Sequence, residues 1–207
     1  MKLTFISDTH GYEPKLVGGD ILFHTGDLTQ NGYKSEVIKQ LNYLHEQLDK
    51  YKYVVLIPGN HDFWAERHPK EFKEACLSAG LMPLIQEETI INGLKIWGSP
   101  ATPWFHDWAF NYRIDDIKKI WEQIPLDTDI LITHGPPFGI LDKTMFGTNV
   151  GCMVLLDKVL DLKPKIHGFG HIHEAAGAGS NDNTLFVNSA MEVINLELEQ
   201  GKVKVLP

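Results

Sequence analysis

Thiols are scarce in this chain. Cys76 and Cys152 are the only cysteines in 207 residues, and their spacing fits neither a zinc site nor a redox pair. Both sit in helix-like contexts and read as buried thiols of a reducing compartment, which places the protein in the cytoplasm. Arginine is equally rare. Arg67 and Arg113 alone leave little scope for bidentate phosphate recognition. Positive charge is short overall: 19 Lys and Arg against 27 Asp and Glu give a formal charge of −8, which argues against an extended nucleic-acid surface. No stretch approaches the roughly 20 apolar residues of a membrane-spanning helix, so no membrane is expected as a partner. The opening Met1-Lys2-Leu3-Thr4-Phe5-Ile6-Ser7-Asp8 is too short in apolar residues for a signal-peptide core and reads as mature structure. There is no repeat, low-complexity segment or linker, and the length suits one domain over residues 1–207 with a substantial core.

What is present is a regular alternation of elements. Strands are expected at Lys2–Ser7, Asp20–His24, Tyr53–Ile57, Glu88–Ile91, Leu94–Gly98, Asp129–Thr133, Lys165–Gly170 and Thr184–Asn188. A hairpin over Val193–Glu199 and Lys202–Leu206 turns at Gln200-Gly201. Runs such as Val54-Val55-Leu56-Ile57 and Ile130-Leu131-Ile132 suit strands covered on both faces. Helices are expected at Tyr33–Tyr51, where Val37, Ile38, Leu41, Leu44 and Leu48 form one stripe. Others are expected at Pro69–Ala79 before Gly80, at Asp115–Gln123 before Pro125 and at Val150–Leu162 before Pro164. Alternation early and strands late indicate a layered α/β domain with mixed sheets.

The chemistry lies in five short segments: Asp8-Thr9-His10, Gly26-Asp27, Gly59-Asn60-His61-Asp62, Thr133-His134-Gly135 and Gly170-His171-Ile172-His173. Each follows an expected strand, and ligands of open α/β sheets gather at the carboxyl ends of strands. Taken singly, most of these segments are ordinary turns. Together they offer oxygen and imidazole donors for two divalent ions with no thiolate among them, a set suited to manganese, iron, cobalt, nickel or zinc, of which manganese is favoured. Asp27 is the best bridge, since one carboxylate reaches two metals roughly 3.5–4 Å apart. Two divalent ions against Asp8, Asp27 and a bridging hydroxide leave one net positive charge, which favours an anionic phosphoryl substrate. His61 is expected to protonate the leaving oxygen, with Asp62 orienting its ring and raising its pKa.

These blocks, in this order, resemble the calcineurin-like metallophosphoesterases. The resemblance runs from Asp8 to His173 and implies a four-layered α/β/β/α sandwich with two mixed β-sheets. It further implies that Asp8, His10, Asp27 and His173 hold one metal, and that Asp27, Asn60, His134 and His171 hold the other. His61 matches the family's catalytic or phosphate-contacting histidine, Asp62 its partner, and Asn60 and His61 lie where substrate is bound. A narrower likeness to the metallophosphoesterase-domain-containing proteins rests on Gly98 to Phe105, Trp108 to Asn111, Thr133 to Pro137, Gly151-Cys152 and Phe169 to Glu174. It implies a phosphodiesterase with cyclic nucleotides among its substrates. One departure is informative: Gly26-Asp27 continues as Leu28-Thr29-Gln30-Asn31, without the arginine that protein serine/threonine phosphatases carry there.

The sequence reading is therefore a hydrolase using a metal-bridged hydroxide on a small, nucleotide-like phosphodiester. A nuclease or a phosphomonoesterase with the same centre, and a metal-bound scaffold without turnover, remain as alternatives. Trp104, Phe105, Trp108, Phe110 and Tyr112 crowd one segment. Most are expected to pack, with Trp104 and Phe105 as candidate contacts for a base. The loops Thr102–Tyr112 and Phe138–Val150 are expected to wall the cleft. His24 and His167 read as packing or supporting residues, and His45, His68 and His106 as surface residues. Arg67 reads as part of an ordinary ion pair.

Overall fold

A computed structural model describes residues 1–207. The first sheet is built from β1 (Lys2–Ile6), β2 (Gly19–Thr25), β3 (Tyr51–Ile57) and a two-residue β4 (Met82–Pro83). The second begins with β5 (Glu87–Ile91) and β6 (Leu94–Ser99). A small ladder, β7 (Thr102–Pro103) with β8 (Asn111–Tyr112), stands apart. Then follow β9 (Ile130–Thr133), β10 (Ile166–Phe169), β11 (Gly177–Ser180), β12 (Leu185–Asn188) and the terminal hairpin β13 (Ile194–Glu199) and β14 (Lys202–Val205). The sheets run β14-β13-β1-β2-β3-β4 and β11-β12-β10-β9-β6-β5. Both are mixed. Their inner strands are parallel, while β13 joins β1, β11 joins β12 and β5 joins β6 antiparallel.

Strand periodicity explains the layering. On β1, β2 and β3 the residues Leu3, Phe5, Ile21, Phe23, Val55 and Ile57 point one way, against Ile96, Ile130, Ile132, Ile166 and Val187 of the second sheet. The alternating residues Ile6, Leu22, Val54 and Leu56 point outward. There they meet helices α1 (Lys34–Glu46), α2 (Phe63–Arg67) and α3 (Pro69–Ser78) through Val37, Leu41, Leu44, Trp64 and Phe72. The second sheet does the same with Trp97, Leu131, Phe169 and Phe186. These pack on Ile117, Ile120 and Trp121 of α4 (Ile114–Trp121) and on Leu155 and Val159 of α5 (Met153–Leu162). The result is four layers, α/β/β/α, with the apolar seam between two sheets that are each covered twice.

The main correction concerns the first helix. Its stripe suggested Tyr33–Tyr51, but α1 stops at Glu46, a 3₁₀ turn covers Gln47–Asp49 and Tyr51 opens β3. Tyr51 is drawn into the sheet by pairing with Gly19 and by its hydroxyl, which donates to Thr4 Oγ1 at 3.0 Å. Helical spacing alone does not reveal that change of partner. The α5 helix also starts later than expected, because Cys152 caps it and Val150 and Gly151 belong to the preceding loop.

Candidate metal centre

The five expected segments meet at one rim. Asp8 N donates to Gly26 O at 2.9 Å and His10 N to Asp27 O at 3.1 Å, so the turns after β1 and β2 run side by side. From the second sheet, Gly170 N donates to His134 O at 2.9 Å. Contacts then cross between sheets: His173 Nε2 lies 3.2 Å from Asp8 Oδ1, and His134 Nε2 lies 3.4 Å from Asp27 Oδ1. The backbone at the rim is unusual. Asp8, His10, Asp27 and His171 have φ of 53°, 46°, 54° and 70°, a left-handed conformation that non-glycine residues adopt at a cost. Close approach demands glycine at Gly170, where a methyl would overlap Asp8 Oδ2 and Ser7 Oγ.

Three of the rim imidazoles, those of His10, His61 and His134, are oriented by backbone carbonyls. A carbonyl only accepts, so the ring nitrogen against it carries the proton. His10 Nδ1 donates to Thr29 O at 3.0 Å, His61 Nδ1 to Gln30 O at 2.8 Å and His134 Nδ1 to Thr25 O at 3.0 Å. Each Nε2 is thereby turned inward as a donor of electrons, the arrangement of metal-binding histidines. Three groups of donor atoms result, each within 4.8 Å: Asp8, His10 and His173; His10, Asp27 and His61; Asp27, His134 and His171. Asp27 belongs to two of them. Asn60 joins the last through Oδ1, 2.8 Å from His134 Nε2.

This donor set fits divalent cations. His134 Nε2, Asn60 Oδ1 and Asp27 Oδ1 converge with their lone pairs facing one another, which is repulsive unless a cation stands among them. Burial alone would lower His134, but the Asp27 carboxylate outweighs it and holds the ring up to about 9. Asp8 responds in the opposite sense. Burial pushes it up, yet the hydrogen bond with His173 and the charge of His134 hold it well below the usual carboxylate range. His171 is lowered to about 4 by burial and by His134.

Asp62 does not orient His61. Its carboxylate is fully buried and accepts from Gly59 N at 2.7 Å, Leu28 N at 3.1 Å, Thr29 N at 3.0 Å and Thr29 Oγ1 at 2.7 Å. It ties the Asn60 turn to the Asp27 turn, while the Gln30 carbonyl aims His61. The sequence hid this because Asp62 is adjacent to His61 but turns away from it, toward the Asp27 turn at Leu28 and Thr29 and toward Gly59. His61 N donates to Asp27 Oδ1 at 2.8 Å, and its Nε2 stands 4.0 Å from Asp27 Oδ2. Its ring packs on Trp108 with centroids 4.4 Å apart, a contact the sequence reading did not single out.

Beside His171 lies a cleft of about 510 Å³. One wall is Pro103, Trp104 and Phe105, and the opposite wall includes Thr144, Val150 and Gly151. Phe105 faces His171 at 5.4 Å between centroids, and the Arg113 guanidinium stacks on Trp104 at 3.7 Å. Phe110 and most of Tyr112 pack inward. Arg67 is not in an ion pair; its guanidinium lies over Phe63 at 5.1 Å. His24 and His167 are buried supports. His24 Nδ1 accepts from Gly26 N at 3.3 Å and its Nε2 meets Thr9 Oγ1 at 3.0 Å, so one ring links the first two turns. His167 Nε2 meets Thr133 Oγ1 at 2.9 Å. His45, His68 and His106 are exposed, and both cysteines are free and buried. No helix is long and apolar enough to cross a membrane.

Comparison with known proteins agrees with this geometry. Residues 1–175 match the model of the calcineurin-like phosphoesterases. The chain is 36% identical over 220 residues to human metallophosphoesterase domain-containing protein 1, covering 93% of this chain and 66% of that one. It thus spans just under two thirds of that relative's length. It is 33% identical to UPF0046 protein K07C11.7 of Caenorhabditis elegans, covering 92% of this chain and 69% of that one. Among solved structures, TT1561 of Thermus thermophilus superimposes with a TM-score of 0.69 at 16% identity, over 99% and 97% of the two chains.

Proposed function

Because the chain belongs to the calcineurin-like phosphoesterase family, a family of hydrolases acting on phosphoric esters, we propose that it hydrolyses small phosphodiesters with two divalent cations. The observation that carries this reading is the shared Asp27, which stands in one donor group with His10 and His61 and in another with His134 and His171. Asp8, His10, Asp27 and His173 would hold one ion and Asp27, Asn60, His134 and His171 the other, with manganese favoured. When bound, such a pair polarises the phosphoryl oxygens and makes water acidic enough to attack at neutral pH.

The protein's own groups do the rest. The carbonyls of Thr29, Gln30 and Thr25 fix the ring orientations of His10, His61 and His134. In its imidazolium form, with one proton on Nδ1 held by the Gln30 carbonyl and a second on Nε2, His61 would donate the Nε2 proton to the departing oxygen, and its contact with Trp108 limits the ring's swing. The cleft beside His171 takes one organic substituent of the diester. Trp104 and Phe105 offer flat surfaces there, which favours a nucleotide-like group, cyclic nucleotides included, held by stacking worth ~1–3 kcal/mol per base. A diester is preferred over a monoester because both arginines are engaged on aromatic rings, Arg67 over Phe63 and Arg113 over Trp104, and a dianion calls for more fixed positive charge.

The test compares bis-p-nitrophenyl phosphate with p-nitrophenyl phosphate on manganese-loaded protein. The expected outcome is faster turnover of the diester, falling by ~10²–10⁴ in His61→Ala while metal content is retained. Preference for the monoester overturns the substrate class. Loss of metal in His61→Ala overturns the role of His61. No turnover with any divalent metal favours a scaffold.

A further inference from the structure

The end of β12 carries a fully buried amide whose polar atoms are all in use. Asn188 Nδ2 donates to Leu141 O at 3.0 Å and to Ile172 O at 2.9 Å, and its Oδ1 accepts from Ala190 N at 3.0 Å. Its three partners belong to three different parts of the site. Ile172 stands between His171 and His173 and also lines the cleft beside His171. Leu141 belongs to the loop Phe138–Val150, the opposite wall of that cleft. Ala190 bridges to Ser7, and Met191 N donates to Ser7 O at 3.0 Å, immediately before Asp8.

The loop that Asn188 grips is itself closed. Asp142 is buried, and its Oδ2 accepts from Gly139 N and Gly151 N, each at 2.9 Å. Lys143 and Asn149 pair across the loop, and Gly147 N donates to Thr144 O at 2.8 Å. A loop stapled at its base moves as one piece, so what decides the width of the cleft is where that piece is anchored. Its side-chain anchor to the turn of His171 and His173 is the Asn188 amide. Leu141, which presents the carbonyl, has a φ of 48°, so the loop accepts a disfavoured backbone in reaching Asn188.

We propose that Asn188 is a positioning residue common to both halves of the site. It holds the cleft wall in register with the turn bearing His171 and His173, so one amide sets both divalent-cation affinity and the fit of the organic substituent. The second half of this statement rests on the phosphodiesterase reading; the first does not. Groups that orient a metal-bearing segment change metal affinity by about 10–100-fold when removed. A residue that acts only on the wall leaves metal affinity alone.

Asp142 supplies the control, since it staples the loop without touching the ligand turn. The experiment titrates Mn²⁺ calorimetrically into metal-stripped wild type, Asn188→Ala, Asn188→Ser and Asp142→Ala. It also measures KM for a 2′,3′-cyclic nucleotide and for methyl p-nitrophenyl phosphate. Asn188→Ala should bind Mn²⁺ ~10–100-fold more weakly and raise KM for the nucleotide more than for the methyl ester. Asn188→Ser, which retains one donor, should fall between. Asp142→Ala should raise KM for the nucleotide alone and bind Mn²⁺ as wild type does. Wild-type Mn²⁺ affinity in both Asn188 variants overturns the proposal, as does an equal loss of affinity in Asp142→Ala. A variant that does not fold is replaced in the comparison by Asn188→Ser or Asp142→Asn, for which the same outcomes decide. If wild type turns over no diester, the hydrolase reading fails while the Mn²⁺ titrations still decide the role of Asn188 toward the ligand turn.

Discussion

Asp27 is constrained on every side. Its backbone is left-handed, its carboxylate is buried, and its oxygens face His134 on one side and His10 and His61 on the other. Replacing it with Asn removes the one negative charge common to both proposed cation sites. Asp27→Asn should therefore lose both metals together, measured by metal analysis after gel filtration, with activity falling to background. A variant that retains two tight metals at full turnover refutes the bridge. Gly26 N–H, Thr29 O and the Asp62 carboxylate hold the surrounding turn, so the folded structure should survive the change.

At the scale of elements, α1 contains a misfit. Gln40 is fully buried on the face that carries Val37, Leu41 and Leu44, and neither its Oε1 nor its Nε2 has a partner. A buried amide without hydrogen bonds costs about 1–3 kcal/mol. Methionine has nearly the same shape and no such demand. Gln40→Met should raise stability by ~1–2 kcal/mol in urea unfolding, with the same dependence on denaturant. A loss of stability would mean that an ordered water satisfies the amide.

The elements also explain what the sequence could convey. Asp8, Asp27, Asn60, His134 and His171 were readable because each sits a few residues at most beyond a strongly apolar strand, where strand ends and rim coincide. The sheet order was not readable in this way, but the two-sided burial of Val54 to Ile57 was. Pieces stabilised only by distant contacts left no local trace. The two-residue β4 leans on β3, the β7 and β8 ladder lies across an aromatic loop, and the Gly-Ala-Gly-Ser segment of β11 has no apolar alternation to announce it. Side-chain direction was equally hidden. Asp62 faces the Asp27 turn and Gly59 rather than His61, Trp108 rather than an acid packs on His61, and Asn188 looked like the plain end of a strand.

For the molecule as a whole, acid is the condition to which the interior responds. His167 is fully buried among Phe169 and Phe186, and burial lowers it to about 3. In the unfolded chain it titrates near its ordinary value of 6.5. Between those values the unfolded chain binds a proton that the folded one refuses, so this stabilising contribution is complete above about pH 6.5 and is lost as pH falls toward 3. At pH 5 the loss is about 2 kcal/mol. The drop in unfolding free energy from pH 7 to pH 5 should shrink by about that amount in His167→Gln. An unchanged drop would mean that other groups govern acid sensitivity.

The rim also places events in order of time. Its donors come from two sheets, and the partners Asp8 with His173 and Asp27 with His134 are separated by most or half of the chain. Neither sheet alone supplies all four donors of either proposed site, although His10, Asp27 and His61 all follow strands of the first sheet. A divalent cation therefore gains its full set of donors only when both sheets have formed and packed. Interactions that appear only after the rate-limiting step slow unfolding and leave refolding untouched. Stopped-flow experiments should find a refolding rate indifferent to Mn²⁺ and an unfolding rate that Mn²⁺ depresses, so that the ion acts as a latch closed behind a completed fold.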